Sequence, residues 1–185
     1  MIFGPGQRGL SCVIAARHAR AACIVVVGRH GSHWKLELAR SLGATHTIDS
    51  ETESVTDAVR AATDGRMADR VIDTTPSAIQ PVLDACEVAR PEATVVLAAK
   101  KASTVEASVL IDLVLAKALT LRGAYSVSAW AKEEAIRFLS SGQDDLSALH
   151  THTMHIDQLD RALRTLGGEV AGERAMHITI TPRSR

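Results

Sequence analysis

Aromatic residues are scarce: two Phe, two Trp and one Tyr make up 3% of 185 residues. With so few rings, the core has to be filled by Ala, Val, Leu and Ile, which favours parallel strands under helices over an aromatic-rich sandwich. Cysteine is scarce too. Cys12, Cys23 and Cys86 form no C-x-x-C pair and no even framework, so reduced thiols in a cytosolic chain are expected. Net charge is absent, because 21 basic residues balance 21 acidic ones. That leaves no electrostatic footprint for nucleic acid or an anionic membrane. The longest apolar stretch, residues 108–121, is broken by Asp112 and Lys117. Neither a transmembrane span nor a signal peptide is therefore expected. Small molecules and other protein remain as partners.

What the chain does have is alternation. Strand-like segments at residues 1–3, 23–27, 45–49, 70–74, 94–99 and 119–125 are separated by segments of helical period, the pattern of a parallel sheet with crossover helices. Ser54 with Asp57 three positions on opens one helix, Pro81 has to sit in the first turn of the next, and Ser128 can cap a third. Gly43 suits a left-handed helix end, and a later helix runs up to Gly142. Only three residues precede the first turn, whereas a buried strand usually runs about five or six. The expectation is a truncated first strand with something missing upstream. Residues 143–185 differ in kind, with strand patterns at 150–156 and 176–181 around a short amphipathic helix. We expect residues 1–142 to form one domain and the tail to belong to a second, otherwise absent one, whose strands have lost their sheet partners.

Gly4-Pro5-Gly6-Gln7-Arg8-Gly9 satisfies G-x-G-x-x-G between a strand and a helix. Gly4 permits the tight turn, Gly6 lets a pyrophosphate approach the backbone, and Gly9 lets the helix pack closely on the sheet. The helix N-terminus, with Gln7 and Arg8 in its first turn, adds N–H groups and partial positive charge. In a six-strand alternation this reads as an α/β fold of the Rossmann type, a doubly wound parallel six-stranded sheet that binds a dinucleotide. A methyltransferase also uses a glycine loop. A short-chain dehydrogenase needs Tyr-x-x-x-Lys, but Ala129 stands four positions after the only tyrosine, Tyr125. The acid that normally ends the second strand is missing, and the residues there are Gly28-Arg29-His30. Glycine leaves room and Arg29 can pair with a 2′-phosphate, with His30, Ser32 and Lys35 as further donors. NADP(H) is favoured over NAD(H).

Several passages together resemble the cofactor-binding domain of the zinc-containing medium-chain alcohol dehydrogenase superfamily. Besides the glycine loop they are Leu36-Glu37-Leu38-Ala39-Arg40-Ser41-Leu42-Gly43-Ala44, Val71-Ile72-Asp73-Thr74-Thr75, Arg90-Pro91-Glu92-Ala93-Thr94-Val95-Val96-Leu97 and Leu121-Arg122-Gly123-Ala124-Tyr125. The resemblance implies that Thr74 and Thr75 flank the adenosine side. It further implies that Leu97, Ala98 and Ala99 with Ala124, Tyr125 and Ser126 line the nicotinamide end. The tail is implied to be a remnant of the family's GroES-like catalytic domain, and a homodimer or homotetramer with paired sixth strands is implied. Three residues depart from the family pattern. Pro76 replaces a usual glycine, Glu92-Ala93 replaces paired glycines, and His177 stands where a Lys or Arg often reaches the pyrophosphate.

The family's catalytic zinc, its ligands and its proton relay precede the glycine loop, so zinc is expected only in a complete parent enzyme. No catalytic or metal-binding residue is assigned in this chain. The expectation is a truncated product or excised domain whose parent interconverts an alcohol and a carbonyl. The alternative is a non-catalytic dinucleotide-binding module or a decayed gene fragment. The His150-Thr151-His152 pattern invites a metal, since i and i+2 share one strand face, but no Cys or carboxylate accompanies it at ligand spacing.

Overall fold

In the computed structural model, which describes residues 1–101 and 111–182, the alternation forms one parallel sheet. Its elements run β1 (Ile2–Phe3), α1 (Gln7–His18), β2 (Val25–Gly28), α2 (His33–Ser41), β3 (His46–Asp49), α3 (Val55–Ala62), β4 (Ala68–Asp73), α4 (Gln80–Val88), β5 (Ala89–Leu97), α5 (Ile111–Ala116) and β6 (Thr120–Gly123). The strand order is β3-β2-β1-β4-β5-β6 with every pairing parallel. The order reverses between β1 and β4, and a doubly wound sheet opens its binding crevice at that switch point, beyond the strands' carboxyl ends.

Local signals set most of these boundaries. The Ser54 hydroxyl accepts from the Asp57 backbone N–H at 3.3 Å and starts α3, and Pro81 lies in the first turn of α4. Gly43 takes φ +116° just past α2, a conformation in which a side chain would be strained. β5 starts earlier than its hydrophobic pattern predicts, at Ala89. Its first part carries a register shift against β4 between Ala68 and Arg70, an irregularity that tolerates Pro91. Glu92, in place of the family's glycine, sits at φ 62°, and its N–H donates to the Lys117 carbonyl at 2.7 Å. Residues 98–99 belong to the turn after β5.

The core is aliphatic, as the shortage of rings requires. Val25, Val26 and Val27 are all buried, so β2 is covered on both faces. Phe3, Val27, Ile48, Val59, Val71, Val88 and Val95 pack in one cluster. β6, by contrast, is exposed along its whole length.

Contacts divide the chain into two compact units, Met1–Ser126 and Val127–Arg185, so the boundary precedes helix α6 (Ala129–Ser140). The Ser128 hydroxyl caps α6, accepting from the Ala131 N–H at 3.2 Å. The second unit continues with β7 (His152–His155), α7 (Leu159–Leu166) and β8 (Ile178–Thr181). β7 and β8 pair in parallel from His152–Ile178 to His155–Thr181. This corrects the expectation of orphaned tail strands: each satisfies one edge of the other. The first two residues of the helix expected at 109–117 lie outside the described residues. Among the described residues no helix is long and apolar enough to cross a membrane.

Candidate cofactor-binding site

The three glycines of the loop sit in different surroundings. Gly4, at φ +93°, could take a side chain only in strain, and a Cβ there would lie 2.9 Å from Thr75 Cγ2. Its N–H donates to Val27 O at 2.9 Å, joining the loop to β2. At Gly9 a Cβ would fall 1.9 Å from the Gly4 carbonyl oxygen, so the helix–strand approach forbids any side chain. Around Gly6 no atom lies within 4 Å of such a Cβ. Gly6 is the N-cap of α1, whose first-turn amides have no partners within the helix. The fold itself does not need glycine at Gly6, but a ligand lying against the backbone there would.

The β4 exit fastens this loop. Thr74 donates its hydroxyl to Phe3 O at 2.8 Å and to Gly4 O at 3.1 Å. Asp73 is fully buried, and its Oδ1 accepts from the Thr75 N–H at 2.9 Å and from the Thr75 hydroxyl. Oδ2 lies 2.6 Å from Lys101 Nζ, an ion-pair contact without hydrogen-bond alignment. Lys101 instead donates to the Thr75 carbonyl and hydroxyl oxygens. This ion pair ties the segment after β5 to the Thr74-Thr75 turn. Arg8 in the first turn of α1 reaches the same segment and donates to Ala98 O at 2.8 Å.

A cavity of about 900 Å³ opens at the switch point. It is lined by Gly4, Pro5 and Gly6, by Gly28, Arg29, Ser32 and Lys35 at the β2 end, and by Thr74, Thr75 and Pro76 at the β4 end. Gln7, Arg8 and Gly9 stand behind the loop in α1, and His30 lies beside Arg29 without lining the cavity. A Cβ at Gly28 would meet Pro5 Cγ at 2.9 Å and Leu36 Cδ2 at 3.0 Å. A side chain at this position would thus require Pro5 and Leu36 to shift. Burial lowers the pKa of Lys35, whose Nζ lies 5.4 Å from the Trp34 ring centre.

The residues expected at the nicotinamide end are grouped by the sheet. Ala98 N–H donates to Asp73 O and Ala124 N–H to Leu97 O, each at 2.9 Å, so Leu97, Ala98 and Ala99 continue beside Ala124, Tyr125 and Ser126. They lie outside the lining of the cavity. Tyr125 is 82% exposed, with Lys100 Nζ 5.3 Å from its ring centre. His177 belongs to the second unit, where its Nδ1 lies 3.5 Å from that of His150. His152 Nδ1 is instead 2.9 Å from the Thr151 hydroxyl, so His150 pairs with His177 across strands and not with His152.

Asp73, Lys101 and Glu51 carry no local sequence signal that marks them as site residues. Glu51 accepts from Arg29 Nε at 2.8 Å, so the cation expected to be open at the β2 end already has a carboxylate. The hydrogen bond from Arg29, followed by that from the His30 N–H, holds the Glu51 carboxyl below its ordinary pKa.

A doubly wound sheet with a glycine loop at its switch point defines a Rossmann dinucleotide-binding domain. A family model described as zinc-binding dehydrogenase matches residues 9–141, and the chain belongs to that family. A probable alcohol dehydrogenase of Mycobacterium tuberculosis (strain CDC 1551 / Oshkosh) is 33% identical over 98% of this chain and 50% of its own length. The chain therefore spans about half the length of the curated relative it matches, and corresponds to the cofactor-binding portion of an alcohol dehydrogenase-like oxidoreductase. Among solved structures, benzyl alcohol dehydrogenase from Acinetobacter calcoaceticus superposes with a TM-score of 0.86 at 21% identity, covering 98% of this chain and 49% of that one. A short chain alcohol dehydrogenase from E. coli CFT073, solved with NADH, gives 0.83 at 21% identity over 97% and 51%. These two likenesses establish the fold.

The zinc in the family's description finds no donor set among the described residues. Among the described residues no group of three or more His, Cys, Asp or Glu could hold a metal ion, and Cys12, Cys23 and Cys86 are free and apart.

Proposed function

We propose that the first unit binds NADP(H) across the β1/β4 crevice and serves as the cofactor-holding half of an enzyme that interconverts an alcohol and a carbonyl by hydride transfer. The observation that carries this reading is the contrast within the glycine loop. Gly9 is required by packing, whereas the open surroundings of Gly6 are explained by a pyrophosphate resting on the backbone. The bound dinucleotide would accept hydride from the alcohol in one direction and donate it to the carbonyl in the other. This chain's part is to hold the pyrophosphate with the first-turn amides of α1 at Gln7 and Arg8, and to flank the adenosine with Thr74, Thr75 and the β2 end. Backbone groups of Leu97, Ala98, Ala99, Ala124, Tyr125 and Ser126 orient the nicotinamide.

The 2′-phosphorylated form is favoured because glycine stands at position 28 in place of a carboxylate and because Arg29 and Lys35 line the cavity, which also holds Glu53, Asp84 and Glu87. The NADH seen with the E. coli relative supports a nicotinamide dinucleotide in general. No residue of this chain is given a catalytic role. Zinc, the substrate's other wall and the second unit's kinship with a GroES-like catalytic domain belong to the reading of a longer parent, which is a homodimer or homotetramer. Titrating the chain with NADPH and NADH, followed by their fluorescence, tests the proposal. NADPH is expected to bind more tightly, and failure of both to bind refutes it. Cofactor binding without any upstream catalytic half to restore turnover would favour a non-catalytic module.

A further inference from the structure

The adenosine end of the crevice holds a charge arrangement that the glycine loop does not explain. The turn after β3 runs beside the end of β2, with the Ser50 N–H and hydroxyl donating to Gly28 O at 2.9 and 3.2 Å. From this turn Glu51 grips two successive residues of β2's exit. Its Oε1 accepts from Arg29 Nε at 2.8 Å and its Oε2 from the His30 N–H at 2.9 Å. The Glu51 N–H is in turn fixed by Asp49 Oδ1 at 3.0 Å. Both carboxylate oxygens are thus committed to the segment that meets the adenosine ribose. The Arg29 side chain is 80% exposed and that of Glu51 40%, so water screens the pair and an incoming anion can displace it.

Lys35 has a different status. It lines the same cavity from the first turn of α2, is partly withdrawn from water, and has its Nζ over the Trp34 ring and not beside a carboxylate. The cavity lining therefore carries two cations, of which Arg29 is already neutralised by Glu51, together with the carboxylates of Glu53, Asp84 and Glu87.

Resting on the NADP(H) reading, we propose that Glu51 is the specificity-determining residue of this site: it holds Arg29 as a counter-ion and so limits the preference for a 2′-phosphate over a 2′-hydroxyl. Lys35 meets the phosphate directly, while Arg29 contributes only when Glu51 yields it. A 2′-hydroxyl makes no such demand and leaves the pair intact. The lost preference is a matter of charge, so an amide at position 51 keeps an acceptor for the His30 N–H while freeing the guanidinium.

The test is parallel NADPH and NADH titration of the full chain and of Glu51→Gln at one fixed ionic strength. Glu51→Gln is expected to tighten NADPH by about tenfold, the scale of a recovered charge-assisted contact, and NADH by less than about twofold. Adding Arg29→Gln to Glu51→Gln should abolish that gain, because the two act as one pair. Lys35→Met supplies an independent arm and should weaken NADPH selectively, which a loss of folding would not do. Equal tightening of both cofactors, an unchanged ratio, or a gain that survives loss of Arg29 overturns the assignment to Glu51 while leaving cofactor binding in place. If the unaltered chain binds neither dinucleotide, the cofactor reading fails and takes this one with it.

Discussion

Gly6 and Gly9 lie three positions apart in one motif, yet their surroundings assign them different work. A methyl group at Gly9 would overlap the Gly4 carbonyl, and backbone on both sides leaves nothing flexible to move. Gly9→Ala is therefore expected to cost about 2–3 kcal/mol of stability, the upper range for overpacking, measured by urea unfolding. The Asp73–Lys101 pair gives a second prediction at this scale. With Asp73 fully buried and the Lys101 side chain 15% exposed, Lys101→Met leaves a carboxylate without its counter-ion. The expected loss is about 3–5 kcal/mol, and Asp73→Asn in the same chain should restore part of it. The glycine spacing was legible because strand, turn and helix are contiguous. Lys101 was not, since it lies 28 residues after Asp73 and meets it only once β4 and β5 are in register.

At the scale of elements, local punctuation predicted more than hydrophobic pattern did. Ser54, Pro81, Gly43 and Ser128 mark helix ends that the structure realises. Ser54→Ala should lower stability by about 1 kcal/mol, the usual value of an N-cap, and urea midpoints would show it. Strand lengths were less legible. β5 extends back to Ala89 through a bulged region, because backbone pairing with β4 tolerates polar Arg90 and Glu92 where periodicity sees no strand. The tail strands carried the right alternation but no information on their partner, and they found each other. The same limit hid Glu51. It reaches Arg29 only through the lateral pairing of β2 with β3, Gly28 beside Asp49, which no local pattern encodes.

The whole molecule carries unsatisfied apolar surface. Leu115 is 72% exposed, Tyr125 82%, Trp130 70% and Ile136 63%, and β6 is exposed along its length and pairs only with β5 among the described residues. Exposed edges and apolar side chains of this kind drive association. Light scattering is expected to show mass rising with concentration, and a Leu121→Lys substitution on β6 should reduce it. A monodisperse monomer at every concentration would contradict this. A ligand that binds only the folded form stabilises it by mass action, by about 2.7 kcal/mol at a hundredfold excess over Kd, so dinucleotide binding should also appear as a raised melting temperature.

The most direct measurement compares dinucleotide binding by the unaltered chain and by Gly6→Ala, with the melting temperature of each recorded alongside. A Cβ at Gly6 meets no protein atom within 4 Å, but on the proposed reading it stands where the pyrophosphate would rest. The account predicts that NADPH affinity falls by at least about tenfold while stability changes by less than about 1 kcal/mol. Undiminished binding by Gly6→Ala, or no binding by the unaltered chain, would contradict the assignment of this crevice to a dinucleotide.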